Sequence, residues 1–374
     1  MNKCLVDPRS LLRFDFGETH PFKIYRLGLA YELIRAYGLD EAGDVYLVAP
    51  REATEDEAKT FHTTGYLETL RLADSGMWVP NLFAHGLGTP DNPVFPGVYE
   101  WGMQVAGASI QCAEEILSGR AERAFNMSGG LHHAMPARAS GFCHINDAAL
   151  AIHRMIQERK RVVYIDIDAH HGDGVQEAFY RRADVLTISV HQSGQTIFPG
   201  TGFVGEIGRE DGAGRTINVP LVPGAADDLY VRVMDEVIVP AVQRFRPDII
   251  VTQLGSDAIL GDLVANLRMS LTQFERMVKG FADLGLPWLA LGGGGYHVGN
   301  VVRAWTLAWS VIAGAEPLSD EIPSTWATAA SVHNVFVSSL RGSVPSTPDS
   351  PDHAHEDLDR TVAELIKNVF PRLG

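Results

Sequence analysis

One run of thirteen residues, Val162-Val163-Tyr164-Ile165-Asp166-Ile167-Asp168-Ala169-His170-His171-Gly172-Asp173-Gly174, restricts this chain more than any other. It opens as an apolar, β-branched segment that reads as a buried parallel strand, and it closes with five ionisable side chains within eight residues. A buried strand has no structural need for so many charges. In open α/β sheets, ligands sit beyond the carboxyl ends of the strands. Asp168 and His170 are two apart, so on an extended backbone they point to the same side. An oxygen and a nitrogen donor converging there suit a divalent metal. A helix cap accounts for one aspartate, or two, but not for the whole cluster.

The rest of the chain alternates apolar strand-like runs with amphipathic ones. Strands are expected at 45–48, 124–126, 162–166, 185–190, 248–254 and 288–291, and helices at 26–37, 104–117, 146–157, 227–245 and 271–284. Thr54-x-x-Glu57 reads as a capping box. This order implies an α/β fold with a central parallel sheet and helices on both faces. No interdomain linker interrupts it before about residue 315, so residues 1–374 read as one domain. Its core spans about 20–315 and a C-terminal extension about 316–374. The stretch 343–357, rich in Pro, Ser, Asp and His, reads as a loose connector before a last helix at 358–370. Residues 74–97 read as a long irregular loop, with Trp78, Phe83 and Phe95 arguing against full disorder.

Composition excludes several roles. Lys plus Arg is 31 and Asp plus Glu is 46, a net charge of −15 that disfavours phosphate-driven nucleic-acid binding. Three cysteines with no CxxC pair offer neither a disulfide framework nor a thiolate zinc site, and they fit a reducing compartment. The first residues lack an apolar signal core and no apolar run reaches transmembrane length, so the chain reads as cytoplasmic, without a membrane partner.

Four expected strands end in polar residues. They deliver His132 and His133, then Asp166, Asp168, His170 and Asp173, then Asp257, and finally Tyr296 and His297 after four glycines. A metal held by Asp168, His170 and Asp257 has three protein ligands and an open position, the mark of a catalytic site, where it activates water and polarises a carbonyl. Either His132 or His133 can serve as general base and acid, with Asp166 and Asp173 available to orient them. The Tyr296 hydroxyl can meet a developing oxyanion. The glycine run lacks the Gly-Lys-Ser/Thr of a phosphate loop.

At these residues the chain resembles the zinc-dependent histone deacetylase family, and within it the bacterial amidohydrolase and acetoin utilisation branch. The resemblance runs from about His20 to Trp305. It is carried by Gly129-Gly130-Leu131-His132-His133-Ala134, Ser140-Gly141-Phe142-Cys143, the 166–174 run, Gln253-Leu254-Gly255-Ser256-Asp257 and Gly292-Gly293-Gly294-Gly295-Tyr296-His297. It implies an arginase-deacetylase fold and a metal on Asp168, His170 and Asp257. The metal would be zinc, although two aspartates and a histidine also suit iron(II) or another first-row ion. It makes His132 and His133 a tandem acid/base pair backed by Asp166 and Asp173 respectively, and Tyr296 the carbonyl-polarising residue. It places Gly141, Phe142 and Phe198 along an acyl-lysine channel, Asp91 at its rim and Arg26 in an inner cavity. A structural potassium ion is implied near Asp166, Asp168, His170, Ser189 and Val190. The implied substrate is an acyl-lysine protein or peptide. A small N-acetylated amine, such as an acetylpolyamine, is the alternative with the same catalytic residues. A manganese ureohydrolase would need a further strand-end Asp-x-Asp, and a non-catalytic acyl-lysine reader would be expected to have lost Tyr296 or a ligand. Oligomerisation is left open. The chain departs from the eukaryotic members at Leu131, where Trp is common, at His144, where Tyr is usual, and over the loop 80–96.

Overall fold

The computed structural model describes residues 2–315, 317–342 and 349–374. Its centre is one eight-stranded sheet. The strands are β1 (Lys3–Val6), β2 (Val45–Val48), β3 (Arg123–Asn126), β4 (Val162–Asp166), β5 (Val185–Gln192), β6 (Thr216–Leu221), β7 (Ile249–Gln253) and β8 (Trp288–Leu291), in the order β2-β1-β3-β8-β7-β4-β5-β6. Every pairing is parallel. Both faces are covered, so β4 and β7 are buried along their whole length and open with continuous apolar runs, Val162–Ile165 and Ile249–Val251, rather than alternating. Val163 and Ile165 pack into the core on one side, and Val162 and Tyr164 into the core on the other.

Register positions the chemistry. Asn126 lies opposite Leu291, Leu291 opposite Gln253, Gln253 opposite Asp166, and Asp166 opposite Ser189. The last residues of the four central strands β3, β8, β7 and β4 thus stand level, and the chain leaves all four at one edge. The expected convergence of strand ends rests on this row.

Several elements differ from the sequence reading. β1 and β6 were not expected. β1 is only four residues long, and β6 contains Pro220, which an edge strand tolerates because no outer neighbour needs its missing N–H. The helix expected from 104 begins at Val98. Gly102 suggests a break there, but a Cβ at that position would stand 2.8 Å from Ile145 Cγ1, so the glycine permits close packing within the helix. Residues 227–245 form one helical rod with a π-turn at Met234–Ile238. The Thr54–Glu57 capping box is present.

The 74–97 loop is closed at its base by Asp74, whose Oδ1 accepts from Gly97 N (2.6 Å) and Val98 N (3.1 Å). Phe95 and Leu87 anchor it in the core. Trp78 and Phe83 do not, being 84% and 73% exposed. At the other end of the chain, residues 343–348 of the expected connector lie outside the described residues. The remainder is held rather than loose, with the last helix running Asp352–Asn368 and so starting six residues before 358. Asp228 accounts for this. It accepts from Ser350 Oγ (2.7 Å) and pairs with His355 Nε2 (2.8 Å), fixing the helix start to the 227–245 rod.

Leu358, Val362, Leu365 and Val369 bury one face of this helix in the core. Leu365→Ala is expected to lower the unfolding free energy by about 3 kcal/mol in a denaturant titration. A change below about 0.5 kcal/mol, the size of a surface effect, would show that the helix is not part of the cooperative core.

Candidate active site

The level strand ends supply a buried cluster. Asp168, His170 and Asp257 each offer a ligand atom within 4.8 Å of the others. His170 Nδ1 stands 3.1 Å from Asp168 Oδ1 and 3.0 Å from Asp257 Oδ2. The outer faces of both carboxylates are engaged. Asp168 Oδ2 accepts from Gln253 Nε2 (2.7 Å) and Gly294 N (2.8 Å), and Asp257 Oδ1 accepts from Ala169 N (2.8 Å). These bonds fix the orientation of the ligand oxygens.

Charge in the cluster is unbalanced. Among the described residues, no lysine or arginine pairs with Asp168 or Asp257. Burial would lower His170, but the two carboxylates raise it to about 10. Burial, and then the Asp168 charge, raises Asp257 to about 7. Burial opposes ionisation of Asp168 too, yet His132 and His170 hold it well below the usual carboxylate range. Two carboxylates buried this close together favour a positive charge between them. A hard or borderline divalent cation with an O,N,O donor set meets that need, so these residues fit a metal.

Beside the cluster stand the paired histidines. His132 Nδ1 meets Asp166 Oδ2 at 2.7 Å and His133 Nδ1 meets Asp173 Oδ1 at 2.6 Å, while the two Nε2 atoms face each other at 3.1 Å. Burial lowers both rings, but Asp166 and Asp168 lift His132 to about 9. Burial and the neighbouring His132 push His133 down to about 4.

Tyr296 follows a turn in which Gly293 and Gly295 have φ of 127° and 133°, a region closed to other L-residues. From below, Arg26 Nη1 and Nη2 donate to Gly295 O (2.5 Å) and Gly293 O (2.8 Å). Burial raises the Tyr296 phenol well above its ordinary value, so it remains a hydrogen-bond donor.

A cavity of about 230 Å³ descends to this floor, lined by Asp91, His133, Gly141, Phe142, His170, Ile197, Phe198, Val264 and Tyr296. The structure therefore places all four expected channel residues, Asp91, Gly141, Phe142 and Phe198, around one shaft, with His133, His170 and Tyr296 at the same cavity. Phe142 holds φ at 68°, unusual for an aromatic residue, and its ring packs on His20 (4.7 Å) and Tyr296 (5.6 Å). His20 Nε2 also meets the Asp91 carbonyl at 3.2 Å, joining rim and wall.

Sequence reasoning missed several supports. Ile197 and Val264 had no motif to mark them. Tyr164, two residues before Asp166 and on the same face, donates its hydroxyl to Asp166 Oδ2 at 2.7 Å, a spacing signal that was readable. Asp147 is fully buried. It accepts from Gly130 N (3.0 Å), Leu131 N (2.8 Å) and Ser109 Oγ (2.6 Å), shaping the turn that presents His132.

The comparisons with known proteins agree with this geometry. The family model described as "Histone deacetylase domain" matches residues 20–312. The acetoin utilization protein AcuC of Bacillus subtilis is 39% identical over 322 residues, covering 84% of this chain and 82% of AcuC. Histone deacetylase clr6 of Schizosaccharomyces pombe is 40% identical over 313 residues, covering 83% of this chain and 76% of clr6. A crystal structure of an HDAC homologue from Aquifex aeolicus superposes with a TM-score of 0.86 at 29% identity, covering 97% of this chain and 100% of that one. With an eight-stranded parallel sheet of the arginase-deacetylase type and a histone deacetylase domain over most of its length, the chain belongs to the histone deacetylase family.

Proposed function

We propose that this deacetylase hydrolyses the amide of N-ε-acyl-lysine in proteins or peptides. The observation that carries this is the shaft itself, a narrow, partly aromatic channel with a proton-transfer pair, a phenol and a metal-fitting cluster at its floor. Asp168, His170 and Asp257 would hold the metal, zinc in this reading, with iron(II) or another first-row ion chemically compatible. When bound, it would supply Lewis acidity toward water and the acyl carbonyl.

The chain's own groups do the rest. Phe142 and Phe198 enclose an aliphatic lysine stem and exclude water from it. His133 lines the channel and has a neutral ring, so it takes a proton from the attacking water. As the C–N bond breaks, the same nitrogen returns that proton to the leaving amine. Asp173, 2.6 Å from His133 Nδ1, stabilises the charge that ring gains, and Asp166 keeps the neighbouring His132 ring in place. Tyr296 donates to the oxygen that gains charge as water adds to the acyl carbon. Asp91 at the mouth is suited to accept backbone N–H groups of a peptide. A structural potassium ion at the level of Asp166 belongs to the same reading, supported by a fully buried Asp166 carboxylate whose only ion-pair partner among the described residues is His132.

The mouth favours a peptide over a polyamine. Among the described residues lining it, Asp91 is the one carboxylate, beside apolar Ile197, Phe198 and Val264, whereas a polycationic substrate calls for several. One metal-fitting group was found among the described residues, which argues against a two-metal ureohydrolase.

Dialysis against a chelator is expected to abolish turnover of an acetyl-lysine peptide and to lower Tm, with zinc restoring both. Turnover that persists in metal-free protein would rule out the metal role, and turnover of acetylated polyamine alone would move the substrate to that class. Tyr296→Phe is expected to retain metal content and Tm and to lose about 10²-fold in kcat. Unchanged kcat would remove the oxyanion role.

A further inference from the structure

We propose that Asp262 is a positioning residue that locks the Tyr296 turn and the Val264 wall of the channel into one unit and thereby sets where the Tyr296 hydroxyl stands. The inference rests on the deacylase reading above and extends it to a residue outside every motif of the sequence.

Asp262 lies in the irregular loop between β7 and the helix Leu271–Asp283. Its carboxylate accepts three backbone amides. Oδ2 takes Tyr296 N at 2.7 Å and His297 N at 3.1 Å, and Oδ1 takes Val264 N at 3.0 Å. Tyr296 and Val264 both line the channel, so one side chain joins two of its walls. No lysine or arginine among the described residues forms an ion pair with Asp262. Burial raises the Asp262 carboxyl above its ordinary value, and the three amide donors oppose that rise. The loop carrying Asp262 is itself anchored, with Leu260 N donating to Met269 O at 2.9 Å and Asn300 Nδ2 to Leu260 O at 3.2 Å.

The turn needs such a clamp. Gly293 and Gly295 give it the conformation the site requires, and the same glycines let the backbone rotate at little steric cost. Arg26 holds the turn through the carbonyls of Gly293 and Gly295, and Asp262 holds it through the amides of Tyr296 and His297. Without Asp262 one side of the turn is released, and a displacement of the phenol by about 1 Å is enough to cost roughly 10²-fold in rate. Helix capping alone accounts for the His297 contact. The bond to Val264, two positions on, is an Asx turn that fixes the carboxylate against its own loop, so the amides of Tyr296 and His297 are held by a braced side chain.

The test is a double-mutant cycle on zinc-loaded enzyme with an acetyl-lysine peptide, joined to a fluorine spectrum. Asp262→Ala is expected to lower kcat about 10-fold or more with KM within about 3-fold in the parent, yet to change the residual kcat of Tyr296→Phe less than about 2-fold. With 3-fluorotyrosine placed at position 296, the single 19F line of the parent is expected to shift or split in Asp262→Ala. Asp262→Asn, the same size with one remaining acceptor oxygen, should move both readouts in the same direction by less, and it carries the test if the alanine variant does not fold. Equal losses in both backgrounds, a loss confined to KM, or an unmoved 19F line would overturn the proposal. A parent enzyme inactive on the peptide would overturn the deacylase reading instead, while the fluorine spectra still decide the role of Asp262.

Discussion

Two carboxylates, Asp168 and Asp257, are buried side by side with an imidazole, and among the described residues no lysine or arginine forms an ion pair with either. Desolvating each costs several kcal/mol, and their mutual repulsion adds to it. A chain keeps such an arrangement when something positive occupies it in use. The rest of the fold can be understood as what is required to hold this group in place. A parallel sheet brings strand ends level, and helices on both faces keep water away from them. The amides of Ala169 and Gly294 and the amide side chain of Gln253 fix the carboxylate oxygens that do not face His170.

The proton-transfer pair depends on the same cluster. His132 is raised because it is near Asp166 and Asp168, and His133 is lowered because it is buried against His132. Two chemically identical rings are thus made unlike by their surroundings, one holding a proton and the other able to receive one. The second carboxylate, Asp173, keeps the His133 ring oriented with Nε2 toward His132. A bound cation near Asp168 would redistribute these charges, but the orientation of both rings comes from hydrogen bonds and does not depend on it.

Much of the site was legible because its chemistry is concentrated at strand ends. Asp166, Asp168 and His170 declared themselves by charge density at the end of an apolar strand, and His132, His133, Asp257 and Tyr296 by position at other strand ends. What could not be read was long-range support. Nothing in the local sequence of Asp262 says that it reaches the amide of Tyr296, 34 positions away. Asp147 likewise carries no local signal that it holds the Gly130–Leu131 turn. Strands β1 and β6 were missed because a run of four residues opening on a lysine, or of six with a proline, carries little periodicity. The C-terminal stretch has a loose composition, but the Asp228 contacts order it from Ser350 onward. His144, unusual by resemblance, is buried among Phe16, Phe95 and Trp101, with Nε2 at 3.1 Å from Pro93 O. It braces the divergent 80–96 loop rather than lining the channel.

The account stands or falls on what Asp168, His170 and Asp257 bind. X-ray absorption at the zinc edge of protein loaded with one equivalent of zinc tests this most directly. The account predicts a single site with only oxygen and nitrogen neighbours at about 2.0–2.2 Å and the outer-shell scattering of one imidazole, lost in Asp257→Ala. Sulfur scattering at about 2.3 Å, or a spectrum unchanged by Asp257→Ala, would place the metal elsewhere and contradict it.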